Sequence, residues 1–203
     1  MPSIDAVQQY FVGAWRLMMG KADGLRLLDL SADGFWNSFY AIVLALPPMI
    51  FSWVSGSDTL DPLHADLGGR LGVIARFAVV DLSTWVVPVV ALALIARPAG
   101  IADRFVHYVV ATNWSSALLL WLTVPLPLLR LVLPDQIELA EALSYIIFLG
   151  SIYFSWRVTS VSLGKGAAVG TAVFAGMFAI SVFLFVMLQT ALGLVLVDQV
   201  PAA

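Results

Sequence analysis

The chain has 203 residues, of which 61% are hydrophobic and 11% charged, with a formal net charge of −3 and a mean hydropathy of +0.97. That composition lies outside the soluble globular range and implies a lipid bilayer as the solvent. The acidic balance argues against a nucleic-acid partner, and the absence of cysteine removes disulfides, thiol catalysis and Cys-based metal sites.

A bilayer core about 30 Å thick takes about 20 apolar helical residues, and because lipid satisfies no backbone polar group the spans must be helices. The sequence therefore predicts an all-α polytopic membrane protein. Residues 1–34 form a cytoplasmic amphipathic segment, and residues 35–203 form a bundle of five transmembrane helices. Short connections leave no room for a separate soluble domain. The first residues lack the basic-then-apolar order of a cleavable signal peptide.

Ahead of the first span, Ile4, Val7, Phe11, Trp15 and Met18 recur at three- and four-residue spacing. This predicts an interfacial helix, with Phe11 and Trp15 among the lipid headgroups and Arg16, Lys21 and Arg26 toward their negative charge. A surface for docking a partner is the alternative; the anchor is preferred because amphipathicity alone recruits lipid. Lys21 to Gly24 and Ser31 to Gly34 have turn composition, and Ser31 or Asp33 is placed to cap the first membrane helix. Phe35, Trp36 and Tyr40 then enter as an aromatic belt.

The spans are expected at about 36–55, 71–96, 105–129, 139–163 and 168–197. Pro47 and Pro48 interrupt the first, Pro88 the second, Pro125 and Pro127 the third; each removes a backbone donor and can kink its helix. Transporters place such breaks in two repeated halves, and no internal repeat is visible. The second span holds Asp81, on one helical face with Phe77, Thr84, Trp85 and Pro88. An ionisable group at membrane depth suggests either proton or ion chemistry or a structural hydrogen-bonding anchor, and Arg76 or Arg130 is its expected partner.

In the third span, Asn113 beside Trp114 reads as interhelical glue rather than a substrate clamp. His107 reads as an interfacial or core histidine, since no second ligand stands at metal-binding spacing. The fourth span holds Arg157, functional or else snorkelling to the cytoplasmic interface, with Ser144, Ser151, Ser155 and Ser162 along one side. On the fifth, Ala168, Ala172 and Gly176 repeat every four residues as a helix-packing face. The serines read as packing rather than as a permeation path, because hydroxyls bond back to their own helix and a path would need more ionisable groups.

With five spans, one side of the membrane receives Arg16, Lys21, Arg26, Arg97, Arg104, Arg157 and Lys165, and the other receives Arg70, Arg76 and Arg130. The richer side is the cytoplasm. The N-terminus is therefore expected inside and the C-terminus outside.

Two stretches carry a family likeness. One is Ala102-Asp103-Arg104-Phe105-Val106-His107-Tyr108-Val109-Val110-Ala111 with the later Pro125; the other runs from Trp156-Arg157 to Ser162-Leu163-Gly164-Lys165-Gly166-Ala167-Ala168. With a short N-terminal segment and five spans, they resemble the Yip1 family, particularly its small bacterial members, over roughly residues 20–197. The resemblance implies a multi-pass protein of a cytoplasmic (inner) membrane. Eukaryotic relatives resemble trafficking adaptors that engage small GTPases through an Asp-Leu-Tyr-Gly-Pro-like motif. This chain offers only Asp29-Leu30-Ser31, so GTPase binding is not carried over.

The functional expectation is a non-enzymatic membrane organiser or accessory subunit of a membrane complex, with no cofactor. Its partners would be the lipid bilayer, other membrane proteins or further copies of itself. The alternative is a small transporter or channel that uses Asp81. A membrane-embedded enzyme ranks third, because paired carboxylates, a Ser/His arrangement or a metal motif would be expected.

Overall fold

Helix is the only regular structure among the residues described by the computed structural model, which are 1–60, 67–126, 129 and 136–194. The α-helices are α1 (Ile4–Met18), α2 (Ala32–Ser38), α3 (Tyr40–Leu60), α4 (Leu67–Ile95), α5 (Phe105–Thr123), α6 (Ile137–Leu163) and α7 (Ala167–Ala191). Five helical stretches are long and apolar enough to cross a membrane: Ala32–Ser57, Gly68–Ile95, Ala102–Thr123, Glu138–Leu163 and Ala167–Ala191. They fall on the five predicted spans. Arg130, Pro127, Asp61, Asp66 and Asp135 lie outside the described residues.

Local chemistry sets the ends. Ser3 Oγ accepts the Ala6 N–H at 3.2 Å to start α1, and Ser31 Oγ accepts the Gly34 N–H at 3.0 Å to start α2, the capping role expected of Ser31. The fifth helix stops at Ala191 rather than near 197. There Gly193 adopts φ +64°, and the Gly193 and Leu194 N–H groups bond back to the carbonyls of Thr190 at 3.2 Å and Gln189 at 2.8 Å. This paired closure needs a residue in the left-handed region, which glycine enters without a steric penalty. Residues 195–197 lie outside the described residues.

Proline leaves a readable mark in α3. Pro48 has no N–H, so the Leu44 carbonyl four residues earlier loses its helical donor. Trp121 on α5 supplies one, its indole Nε1–H donating to that carbonyl at 2.9 Å.

The chain divides into two compact units. The first comprises Met1–Pro48 and Ala93–Gly176, so the N-terminal 34 residues belong with α5 and α6 rather than apart from them. Here α1 packs on the 3-10 segment Ala22–Leu27, on α5 and on α6; α2 packs on α5, and α5 on α6. Leu17, Met18, Tyr108, Val109, Val110, Trp114, Val158 and Leu163 fill its interior.

The second unit comprises Met49–Leu92 and Met177–Ala203. Trp53, Val80 and Leu92 are buried within it, and a Cβ placed on Gly56 would sit 3.1 Å from the Phe77 ring.

Burial follows an inverted pattern. Ser38, Asn113, Ser115, Thr159 and Ser162 are buried, whereas Leu94 is 78% exposed, Phe183 67%, Ile146 65% and Phe148 55%. Water-soluble helices do the reverse.

Candidate functional site

Three groups of polar side chains sit in or beside the apolar helices. The first ties α2 to α5. Asn113 Nδ2 donates to Ser38 Oγ at 2.9 Å, and Ser38 Oγ donates to the Phe35 carbonyl at 2.7 Å. Asn113 is 1% exposed and Ser38 wholly buried, so each satisfies a polar group that would otherwise be stranded. The geometry is that of glue between helices, as the sequence suggests for Asn113.

The second group surrounds Asp81. Trp53 on α3 donates its indole N–H to Asp81 Oδ2 at 2.6 Å, and Thr84 Oγ1 donates to the Asp81 carbonyl at 3.0 Å. Of the two arginines expected as its partner, Arg76 is not beside it. Arg76 lies five residues earlier, well round the helix from Asp81, and its Nη1 reaches the Leu192 carbonyl at 3.2 Å. Arg130 lies outside the described residues. Sequence reasoning missed Trp53 because a tryptophan in an apolar run looks like lipid or core contact. The signal available was its indole N–H, which needs an acceptor when buried.

The third group gathers where α1 meets α6. The predicted stripe of α1 is rotated from the face that packs. Gly13, Ala14, Leu17 and Met18 are buried, whereas Ile4 is 79% and Trp15 46% exposed. Small residues set the rotation: a Cβ on Gly24 would lie 2.5 Å from the Gly13 carbonyl oxygen, so the two backbones nearly touch. Hydrophobic periodicity gives no weight to such positions. Phe11, predicted at the lipid headgroups, packs edge-on to Trp114 with ring centroids 5.9 Å apart, and Tyr10 lies 4.9 Å from the same ring. Trp15 reaches Phe154 at 6.4 Å.

Arg16 pairs with Asp23; its guanidinium holds the Asp23 carboxyl below the usual carboxylate range and is itself pushed up. Lys21 remains exposed.

Arg157 reaches toward the N-terminal segment. Its guanidinium lies against Gly20, where an added Cβ would overlap it, and 5.9 Å from the Trp156 ring. Gly20 has φ +77°. It closes α1, with the Gly20 N–H on the Leu17 carbonyl and the Lys21 N–H on the Arg16 carbonyl, both at 2.8 Å. The end of α1 thus meets α6 at this arginine.

The serine stripe and the small-residue stripe part company. Ser144 Oγ donates to the Ala140 carbonyl at 2.7 Å, Ser151 Oγ to Phe148 at 2.7 Å and Ser162 Oγ to Thr159 at 3.2 Å, the back-bonding expected of them. Ala168, Ala172 and Gly176, however, are exposed, and a Cβ on Gly176 would have nothing within 4 Å. Gly170 makes the close approach instead: its Cβ would lie 2.7 Å from Ser160 Cα. Two residues along a helix is more than half a turn, which puts Gly170 and Ala168 on opposite sides.

Trp156 Nε1 donates to Thr171 Oγ1 at 2.9 Å along the same α6–α7 contact. Lys165 in the turn between those helices meets Asp103, before α5, at 2.7 Å. His107 Nδ1 is buried without a partner among the described residues, and no group of three or more His, Asp or Glu among them is placed to hold a metal. The chain matches no family model, no curated protein and no solved structure.

Proposed function

We propose that the chain is a five-span protein of the inner membrane, with its N-terminus cytoplasmic, acting without catalysis as an organiser or accessory subunit of a membrane complex. The observation that carries the membrane reading is the inverted burial pattern. Apolar side chains such as Phe183, Ile146 and Leu94 point outward while Asn113 and Ser38 are sealed inside. In water that outward surface would drive aggregation; in lipid it costs nothing.

The scaffold reading draws on how the inner polar groups are used. Asn113, Ser38, Trp121 and the hydroxyls of Ser144, Ser151 and Ser162 are engaged in bonds that hold helices together or return to their own backbone. A Yip1-like role in shaping or partnering membranes fits such a body.

Asp81 favours a second reading, a proton or ion pathway, because its carboxylate takes an indole N–H and no cation among the described residues. One experiment separates them. Vesicles carrying the purified chain should hold an imposed proton gradient as long as empty vesicles do. A leak present in the native chain and abolished by Asp81→Asn would replace the scaffold with the pathway.

A further inference from the structure

The Arg157 guanidinium offers five N–H donors in a planar fork. Its Nε is buried and has no hydrogen-bond partner among the described residues. No carboxylate there answers its charge. Asp23 is taken by Arg16 and Asp103 by Lys165. Nor does the guanidinium hydrogen-bond, among the described residues, the carbonyls that close α1; those of Trp15, Arg16 and Leu17 accept backbone N–H groups from Met19, Lys21 and Gly20.

The chain nevertheless holds it in place. Gly20, having no side chain, leaves the space that the guanidinium occupies. Trp156, itself fixed by its bond to Thr171, stands beside the cation at a distance suited to cation–π attraction. A partly buried, positioned arginine whose Nε–H is unmet and whose charge no carboxylate among the described residues answers is the chemistry that recognises a phosphate oxyanion, for which charge-assisted bonds from a planar fork are well matched. Lys21, next in the chain after Gly20 and exposed, adds a second positive group on the side expected to face the cytoplasm.

From this geometry we infer that Arg157, framed by Gly20 and Trp156, is a binding site for a phosphate group, most naturally that of an anionic phospholipid at the inner leaflet. The inference rests on the membrane reading above. A bound lipid would fasten α1, through Gly20, to α6 and to the bilayer surface together, so lipid composition would set how firmly the N-terminal segment docks.

The test uses the full chain purified in mild detergent, with bound lipid counted by native mass spectrometry. It is titrated separately with phosphatidylglycerol and with inorganic phosphate, and inorganic phosphate is also tried as a competitor. Native protein should retain phosphatidylglycerol, and Arg157→Gln should weaken that binding about tenfold, the scale of one lost charge-assisted group. Arg157→Lys should fall between the two, because it keeps the charge and loses the fork. Gly20→Ala, whose Cβ would overlap the guanidinium, should also weaken binding, but alanine is strained at φ +77°, so Arg157→Lys serves as the test if Arg157→Gln does not fold. Displacement of the lipid by inorganic phosphate would identify free phosphate as a competent ligand, and resistance would assign the site to the lipid.

Equal phosphatidylglycerol binding by native, Arg157→Gln and Gly20→Ala proteins would overturn the proposal. So would a fall in melting temperature in those variants with lipid binding unchanged, which would leave Arg157 as a packing residue. Resistance of the native protein to alkaline extraction from membranes is scored in parallel. Its loss would contradict the membrane reading itself, independently of Arg157.

Discussion

A single missing hydrogen links Pro48 to Trp121. Proline at position 48 strips the Leu44 carbonyl of its helical donor, and the Trp121 indole fills the place from a neighbouring helix. Trp121→Phe should therefore cost about 1 kcal/mol in unfolding free energy in detergent, the usual worth of an interhelical hydrogen bond in membrane proteins. The same substitution in a Pro48→Ala background should cost much less, because the restored amide reaches the carbonyl. Equal losses in both backgrounds would show that the carbonyl is satisfied some other way. At this scale the sequence is only half legible. Pro48 announces an unpaired carbonyl, but nothing in the chain names Trp121, 77 positions away, as the donor. Asp81 has the same character: its cost is evident from its apolar surroundings, whereas its partner Trp53 depends on how α3 and α4 meet.

Among the elements, α1 separates what periodicity reveals from what it hides. The three- and four-residue spacing of Val7, Phe11 and Met18 predicts a helix, and Ser3 caps one. The choice of buried face belongs to Gly13 and Ala14, whose small size lets the 3-10 segment settle against the backbone. Gly24→Val would drive a side chain into the Gly13 carbonyl and the Leu17 side chain. An overpacking penalty of about 1–3 kcal/mol should appear as about fivefold to hundredfold faster amide exchange across Ile4–Met18, with α6 and α7 unchanged. Unaltered exchange would mean that α1 is held by lipid alone, as an independent anchor. The same lesson holds on α7, where Gly170 rather than the regular Ala168, Ala172, Gly176 repeat meets a neighbouring helix. A repeat marks which residues are small, but the neighbour decides which of them is used.

For the molecule as a whole, composition was enough to place five apolar helices, because length and hydropathy are properties of each segment alone. Helix ends were less legible, since α7 closes on Gly193 within a longer apolar run. We propose that these five helices cross a bilayer once each, the N-terminus facing the cytoplasm, as the placement of Lys and Arg implies. Reporter fusions at the two ends of the full chain test it most directly, one enzyme active only in the cytoplasm and one active only outside it. The N-terminal fusion should show cytoplasmic activity and the C-terminal fusion external activity. Both termini reporting from the same side would contradict it, because an odd number of crossings cannot return the chain to its starting face.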